Sequence, residues 1–212
     1  MKSIVFLWFT LCCICFAPAQ NIQVDPTTYT PQQLVEDILI DSGCISNVQI
    51  TTATSGNFPD GDKSFGYFSA NGSNFPFEKG IVMSTGKLQN VPGPNTTLSD
   101  DDAPNWPGDT DLEAALNISN TTNATIIEFD FVPNADNIQF RYLFASEEYQ
   151  QGDPNTCIYS DAFAFLIKPI GGTYTNIALV PGTNTPVLVT TVHSGIPGAC
   201  PPINETYFEG WN

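Results

Sequence analysis

Two carboxylates, Glu148 and Asp161, are the side chains of this sequence best spaced to do chemistry together. Glu148 continues the even parity of Tyr142 and Phe144 in an alternating run, and Asp161 shares the odd parity of Phe163, Phe165 and Ile167. Residues two apart on a pleated strand project to the same face, so both acids are expected to turn inward and meet at one mouth of a folded shell. The stretch between them adds Asp153, Asn155 and several backbone carbonyls. A buried carboxylate needs donors or a cation. An all-oxygen set suits calcium, which takes about six to eight oxygen ligands, better than zinc. The competing reading is that each acid accepts backbone N–H groups and pins the loop.

A second acidic cluster runs through Asp100-Asp101-Asp102 and then Asp109-Thr110-Asp111-Leu112-Glu113. Asp109 and Asp111 are candidate calcium ligands there, although the central Gly and distant Glu of an EF-hand loop are missing. The alternative is that Asp109 caps a short helix, with Asp111 and Glu113 favourable in its first turn.

Catalysis is poorly provided for. His193 is the one histidine, and a lone imidazole at the end of an apolar strand reads as structural. The sequence has no Gly-x-Ser-x-Gly elbow, zinc-binding His pair or phosphate loop. A glycosidase needs two carboxylates flanking one bond. Glu147 and Glu148 are strand neighbours that point to opposite faces, so only the pair Glu148 and Asp161 keeps a hydrolase alternative open. The chain is read as a non-enzyme.

The elements that must position these residues follow from composition and punctuation. Lys2, the apolar stretch Ile4 to Phe16 and Ala17-Pro18-Ala19 form the three zones of a cleavable secretory signal, so residues 1–19 are a signal peptide and residues 20–212 one domain. The apolar stretch falls short of the roughly 20 residues that span a bilayer. After cleavage no membrane insertion is expected, and the protein is secreted, to the extracellular space or a bacterial cell surface. The chain has 22 acidic against 6 basic residues, a formal net charge of −16, and loss of Lys2 with the signal makes it −17. Such a charge repels phosphate backbones and anionic lipid, which excludes nucleic acid as a partner. Fifteen Phe, seven Tyr and three Trp argue for a packed core rather than disorder.

Cys44, Cys157 and Cys200 remain after the signal, an odd number. Cys157 and Cys200 lie in polar, Pro- or Gly-containing loops and are the expected disulfide, with three buried thiols as the alternative. A helix is signalled over Thr30 to Leu39, where Thr30 can cap, Pro31 suits the first position and Gln33 completes a capping box. A second short helix is read over Asp109 to Leu116. Strands are read over 48–54, 65–69, 80–84, 126–132, 138–146, 162–168, 176–180 and 187–193, each bounded by Gly, Pro, Asn or Asp. That spacing predicts an all-β fold, a jelly-roll-like β-sandwich with one N-terminal helix. A hairpin through 133–137 would set Phe131 opposite Phe140 and Asp130 opposite Arg141, making Arg141 half of a cross-strand ion pair. The aromatic stretch Phe65-Gly66-Tyr67-Phe68 to Phe75-Pro76-Phe77 either stacks on sugars or packs the core. Six Asn-x-Ser/Thr sequons occur, at Asn71, Asn95, Asn117, Asn120, Asn123 and Asn204; they mark glycosylated loops in a eukaryotic route and polar turns in a bacterium.

Several blocks together resemble the choice-of-anchor L domain of Bacteroidetes surface proteins. They include Tyr29-Thr30-Pro31-Gln32-Gln33-Leu34-Val35, Trp106-Pro107-Gly108-Asp109, Phe144-Ala145-Ser146-Glu147-Glu148-Tyr149 and Ser160-Asp161-Ala162-Phe163-Ala164-Phe165. The resemblance implies an exported domain on large envelope proteins that differ in how they are anchored, and no activity that passes to a residue. It also implies further strands where this chain stops at Gly210-Trp211-Asn212, so the domain is expected to be truncated at the C-terminus and Cys44 to have lost a partner there. The expected function is adhesion or ligand binding at the cell surface, toward a glycan or protein, with calcium in the acidic mouth. A structural spacer is the alternative.

Overall fold

The computed structural model describes residues 21–40, 43–93, 95 and 101–211. The expected signal peptide and Asp100 lie outside them. Among the described residues, seven strands form three antiparallel sheets: β1 (Gln23–Asp25), β3 (Phe65–Ser69) and β4 (Lys79–Met83) in the order β1-β3-β4; β2 (Ile45–Thr54) with β5 (Ile126–Pro133); and β6 (Leu166–Ile167) with β7 (Thr175–Asn176). Two short helices, α1 (Pro31–Gln33) and α2 (Thr110–Leu116), and several 3-10 turns complete a mainly-β fold.

The N-terminal helix starts as its sequence dictates. Thr30 accepts from the Gln33 backbone, and the Gln33 side chain accepts from Thr30 N, the reciprocal box that satisfies two orphan donors. Beyond α1 the coil widens into a π-helix over Leu34–Leu39, closed by Ile40 N donating to Val35 O, and the consecutive Leu34 and Val35 are both fully buried. The Gln32 amide ties this helix to β2: its Nε2 donates to Val48 O at 2.9 Å and its Oε1 accepts from Ile50 N at 3.3 Å. Those are backbone groups at the two irregularities of the β2–β5 ladder, so a side chain supplies the bonds that the bulged ladder leaves open.

Burial in β3 alternates only from Gly66 onward, because Phe65 is buried although it shares the parity of Tyr67 and Ser69. Val24 and Phe68 are partners with inward parity, and Phe65, Gly66 and Phe68 are buried. A Cβ on Gly66 would sit 2.4 Å from Asp25 O and 2.7 Å from Leu88 Cδ2, so a side chain there would force the β1 backbone and Leu88 away. Phe58, Ala103 and Trp106 form a hydrophobic cluster, with the Phe58 and Trp106 rings edge to face at 5.5 Å. Trp106 Nε1 donates to Ala124 O at 2.8 Å, which satisfies its buried donor.

The expected 133–137 hairpin is not the one formed. β5 pairs with β2, placing Gln49 opposite Asp130. The Pro133–Asn134 stretch continues that ladder, with Asn134 N donating to Cys44 O and Asn134 Nδ2 to Gly43 O. Asp130 is therefore not opposite Arg141, whose guanidinium lies over the Phe77 ring at 4.9 Å. A cation on an aromatic face replaces the expected ion pair. Residues 138–146 and 161–165 belong to no strand, so the strand expected over 162–168 is limited to Leu166–Ile167 and that over 187–193 to a 3-10 turn at Val189–Thr191 and a bridge from His193 to Ile203.

Candidate functional site

The chain's second half gathers the acids, the disulfide and most exposed aromatic groups. Cys157 and Cys200 are bonded, with Cα atoms 6.0 Å apart across 43 residues; Cys44 stands outside that bond. His193, only 1% exposed, lies beside it, its Nδ1 2.8 Å from Ser194 O and 3.9 Å from Cys200 Sγ. A carbonyl only accepts, so Nδ1 carries the proton. The ring is thus held by the chain around the bridge, in keeping with a structural histidine.

Four of the five expected ligands, all but Asp111, have a definite hydrogen-bond partner. Glu148 sits in a turn and accepts from the Ser146 hydroxyl two residues back, while its own carbonyl accepts from the fully buried Thr156 hydroxyl. Asp153 caps the 3-10 turn Pro154–Cys157, accepting from Asn155 N at 2.9 Å. Asp161 is exposed and accepts from the Thr85 hydroxyl at 2.8 Å. Asp109 caps α2, accepting from Leu112 N at 2.6 Å, and Asp111 is exposed in the first turn. Glu113 accepts from both Thr121 N and Oγ1, closing the loop that follows α2. Among the described residues no three of His, Cys, Asp and Glu are gathered into a group able to hold a metal ion.

Between these acids runs a ladder of rings. Phe140 stacks on Phe165 at 5.8 Å and Tyr142 meets Phe163 at 5.5 Å, while Phe144 reaches Phe163 at 5.3 Å. The pairs descend in antiparallel order, so the parity read from the sequence is kept by the side chains although no backbone ladder joins the segments. Phe140 and Tyr142 are 36% and 37% exposed, and Leu143, next to Tyr142 in the chain, is exposed as well. Burial beside the neighbouring rings raises the Tyr142 phenol above its usual pKa.

One end of the ladder is anchored by Tyr149. Its ring meets Phe144 and Phe208, and its buried hydroxyl donates to Val192 O at 2.7 Å. Desolvation, followed by the Glu148 charge, holds its phenol protonated well above the usual range. The sequence signalled Tyr149 only as part of a family block, and Thr85 not at all.

No helix among the described residues is long and apolar enough to cross a membrane. Comparison with known families matches residues 23–212 to the choice-of-anchor L domain, a description that belongs to cell-surface modules generally without catalytic activity. No curated protein and no solved structure matches the chain.

Proposed function

We propose, from the premise that this chain belongs to the choice-of-anchor L family, that it is a non-catalytic extracellular module which adheres to a glycan or protein partner. In this reading the antiparallel sheets are layers of a β-sandwich that holds the adhesive side outward. The observation that supports it most is the part-exposed, mutually touching ring ladder of Phe140, Tyr142, Phe163 and Phe165. Exposed clusters of apolar groups mark interaction sites more often than idle surface. Aromatic side chains also dominate binding energy where they are buried by a partner. The test compares binding of the labelled chain and of a Phe140→Ser/Tyr142→Ser variant to intact cell surfaces. At least about a tenfold loss is expected, worth about 1.4 kcal/mol; equal binding by two equally stable proteins would leave only a spacer.

A calcium requirement is a separate proposal within this reading. It is supported by the formal charge of −16 and by Glu148, Asp153 and Asp161 lying along one stretch of chain, with Asp109 and Asp111 at α2 as the second pair. Calorimetric titration with calcium is expected to give heat with the parent and less with Asp161→Ala. No heat, with an unchanged melting temperature, would end it.

A further inference from the structure

The outward face of the β1–β3 pair carries a polar cleft that neither the ring ladder nor the acidic stretch uses. Gln23 stands opposite Ser69 and Asp25 opposite Tyr67, so one parity brings an amide, a hydroxyl, a carboxylate and a phenol ring to the same side of an edge strand. On the other parity Gly66 and Phe68 are buried, while the half-buried Val24 still borders the cleft. The four polar and aromatic groups line a cleft of about 430 Å³ together with Val24, Pro26 and Thr27, within the size range of small-molecule sites, about 300–1,000 Å³.

Two of these groups are fixed before any ligand arrives. Asp25 Oδ1 accepts from Thr27 N and Thr28 N, both at 2.9 Å, and from Thr27 Oγ1 at 3.2 Å. The Tyr67 ring is held against Tyr29 with centroids 5.1 Å apart. Such preorganisation lowers the ordering cost of binding. Among the described residues no cationic side chain lines the cleft and the chain is strongly acidic, so sulfated, phosphorylated or uronic ligands are repelled.

We infer that this cleft binds a neutral, hydroxyl-rich carbohydrate. The Asp25 carboxylate and Gln23 amide offer acceptors and donors for adjacent sugar hydroxyls, Ser69 supplies a hydroxyl of either role, and the Tyr67 ring offers a face to the C–H side of a pyranose. The Asp25 carboxyl stays ionised at any physiological pH, because the Thr28 and Thr27 donors hold it at about 2, so its acceptor character is constant. This inference rests on the chain being an exposed surface module and adds a site and a ligand class to that reading.

The experiment measures binding of the intact chain to arrayed neutral oligosaccharides (mannan, β-glucan, galactan and xylan fragments) beside polygalacturonate, with Gln23→Ala, Ser69→Ala, Phe140→Ser and, at the exposed Ile118 after α2, Ile118→Ser variants of matched melting temperature. Binding to at least one neutral array member, weakened about tenfold by Gln23→Ala or Ser69→Ala and unchanged by Ile118→Ser, is the expected result. The inference is overturned by an array on which no neutral sugar binds, by preference for polygalacturonate, or by sugar binding that both strand variants retain. If Phe140→Ser alone abolishes binding, the surface-module reading stands and this site does not.

Discussion

Thr52 and Glu128 face each other across β2 and β5, hydroxyl to carboxylate at 2.9 Å, and the second carboxylate oxygen accepts from Tyr174 in the loop before β7. Lys168 completes the group, its ammonium 3.8 Å from the Tyr174 ring centroid. One carboxylate thus joins the β2–β5 sheet to the β6–β7 pair. The Tyr174 bond first, and the Thr52 bond after desolvation, hold the Glu128 carboxyl below its usual 4.5. A carboxyl depressed in the folded state stabilises above its unfolded pKa, and that stabilisation is lost as pH falls through the lower folded value. Tyr174→Phe should therefore cost under about 1 kcal/mol at neutral pH, given solvent screening. Urea midpoints should converge with those of the parent in acid. A difference that persists after Glu128 is protonated would mean the phenol acts through packing alone.

Asp25 provides a sharper pH signature. Its carboxyl is lowered from 3.8 to about 2 by the Thr28 and Thr27 donors, so it supports the turn fully above about pH 4 and ceases to as pH falls through about 2. The melting temperature of Asp25→Ala should lie below that of the parent at pH 5, with most of that gap closed by pH 2. A gap that is constant across this range would remove the carboxylate from the turn's energetics.

Tyr149→Phe removes a hydroxyl and leaves the buried rings. The Val192 carbonyl then loses its donor, at a cost of about 1–3 kcal/mol. Because the phenol is held neutral far above physiological pH, the loss should be the same at pH 6 and pH 9. Unchanged stability in chemical unfolding would show that water replaces the hydroxyl.

The bridge from Cys157 to Cys200 closes 43 residues of chain. By chain entropy its removal costs about 4 kcal/mol, with smaller values common. Cys200→Ser paired with Cys157→Ser should lower the melting temperature markedly, and mass spectrometry should find Cys44 outside the bridge in the parent. A bridge mapped to Cys44 would require a different pairing of loops.

Legibility in the sequence tracked how local each cause was. The Thr30 box, the Asp109 cap and the spans of β3, β4 and β5 depend on neighbours within a turn or on strict alternation, and the sequence displays both. The disulfide followed from two loop-borne cysteines. Pairing was less visible, because β5 is as well patterned for a hairpin with 138–146 as for β2, and only the distant Ile45–Thr54 stretch decides between them. That choice cancelled the Asp130–Arg141 pair. At the candidate site, parity read correctly for the rings but could not foresee that Glu148 would turn back on Ser146 or that Asp161 would reach Thr85 across 76 residues. The sequence did hold a sign of the β1 cleft. Asp25-Pro26-Thr27-Thr28 is an Asx-turn signature, legible without coordinates.

The amide of Gln32 occupies backbone groups of β2 that another strand would otherwise seek. Exposed strand borders invite pairing between molecules, and proteins commonly blunt them with bulges or cover. A single glutamine here does both at once, since it seals the irregular stretch and docks the helix that shields it. Loss of that side chain would then be felt less as a weaker monomer than as one that sticks to its own copies, a failing of solubility written into one residue of the first helical turn.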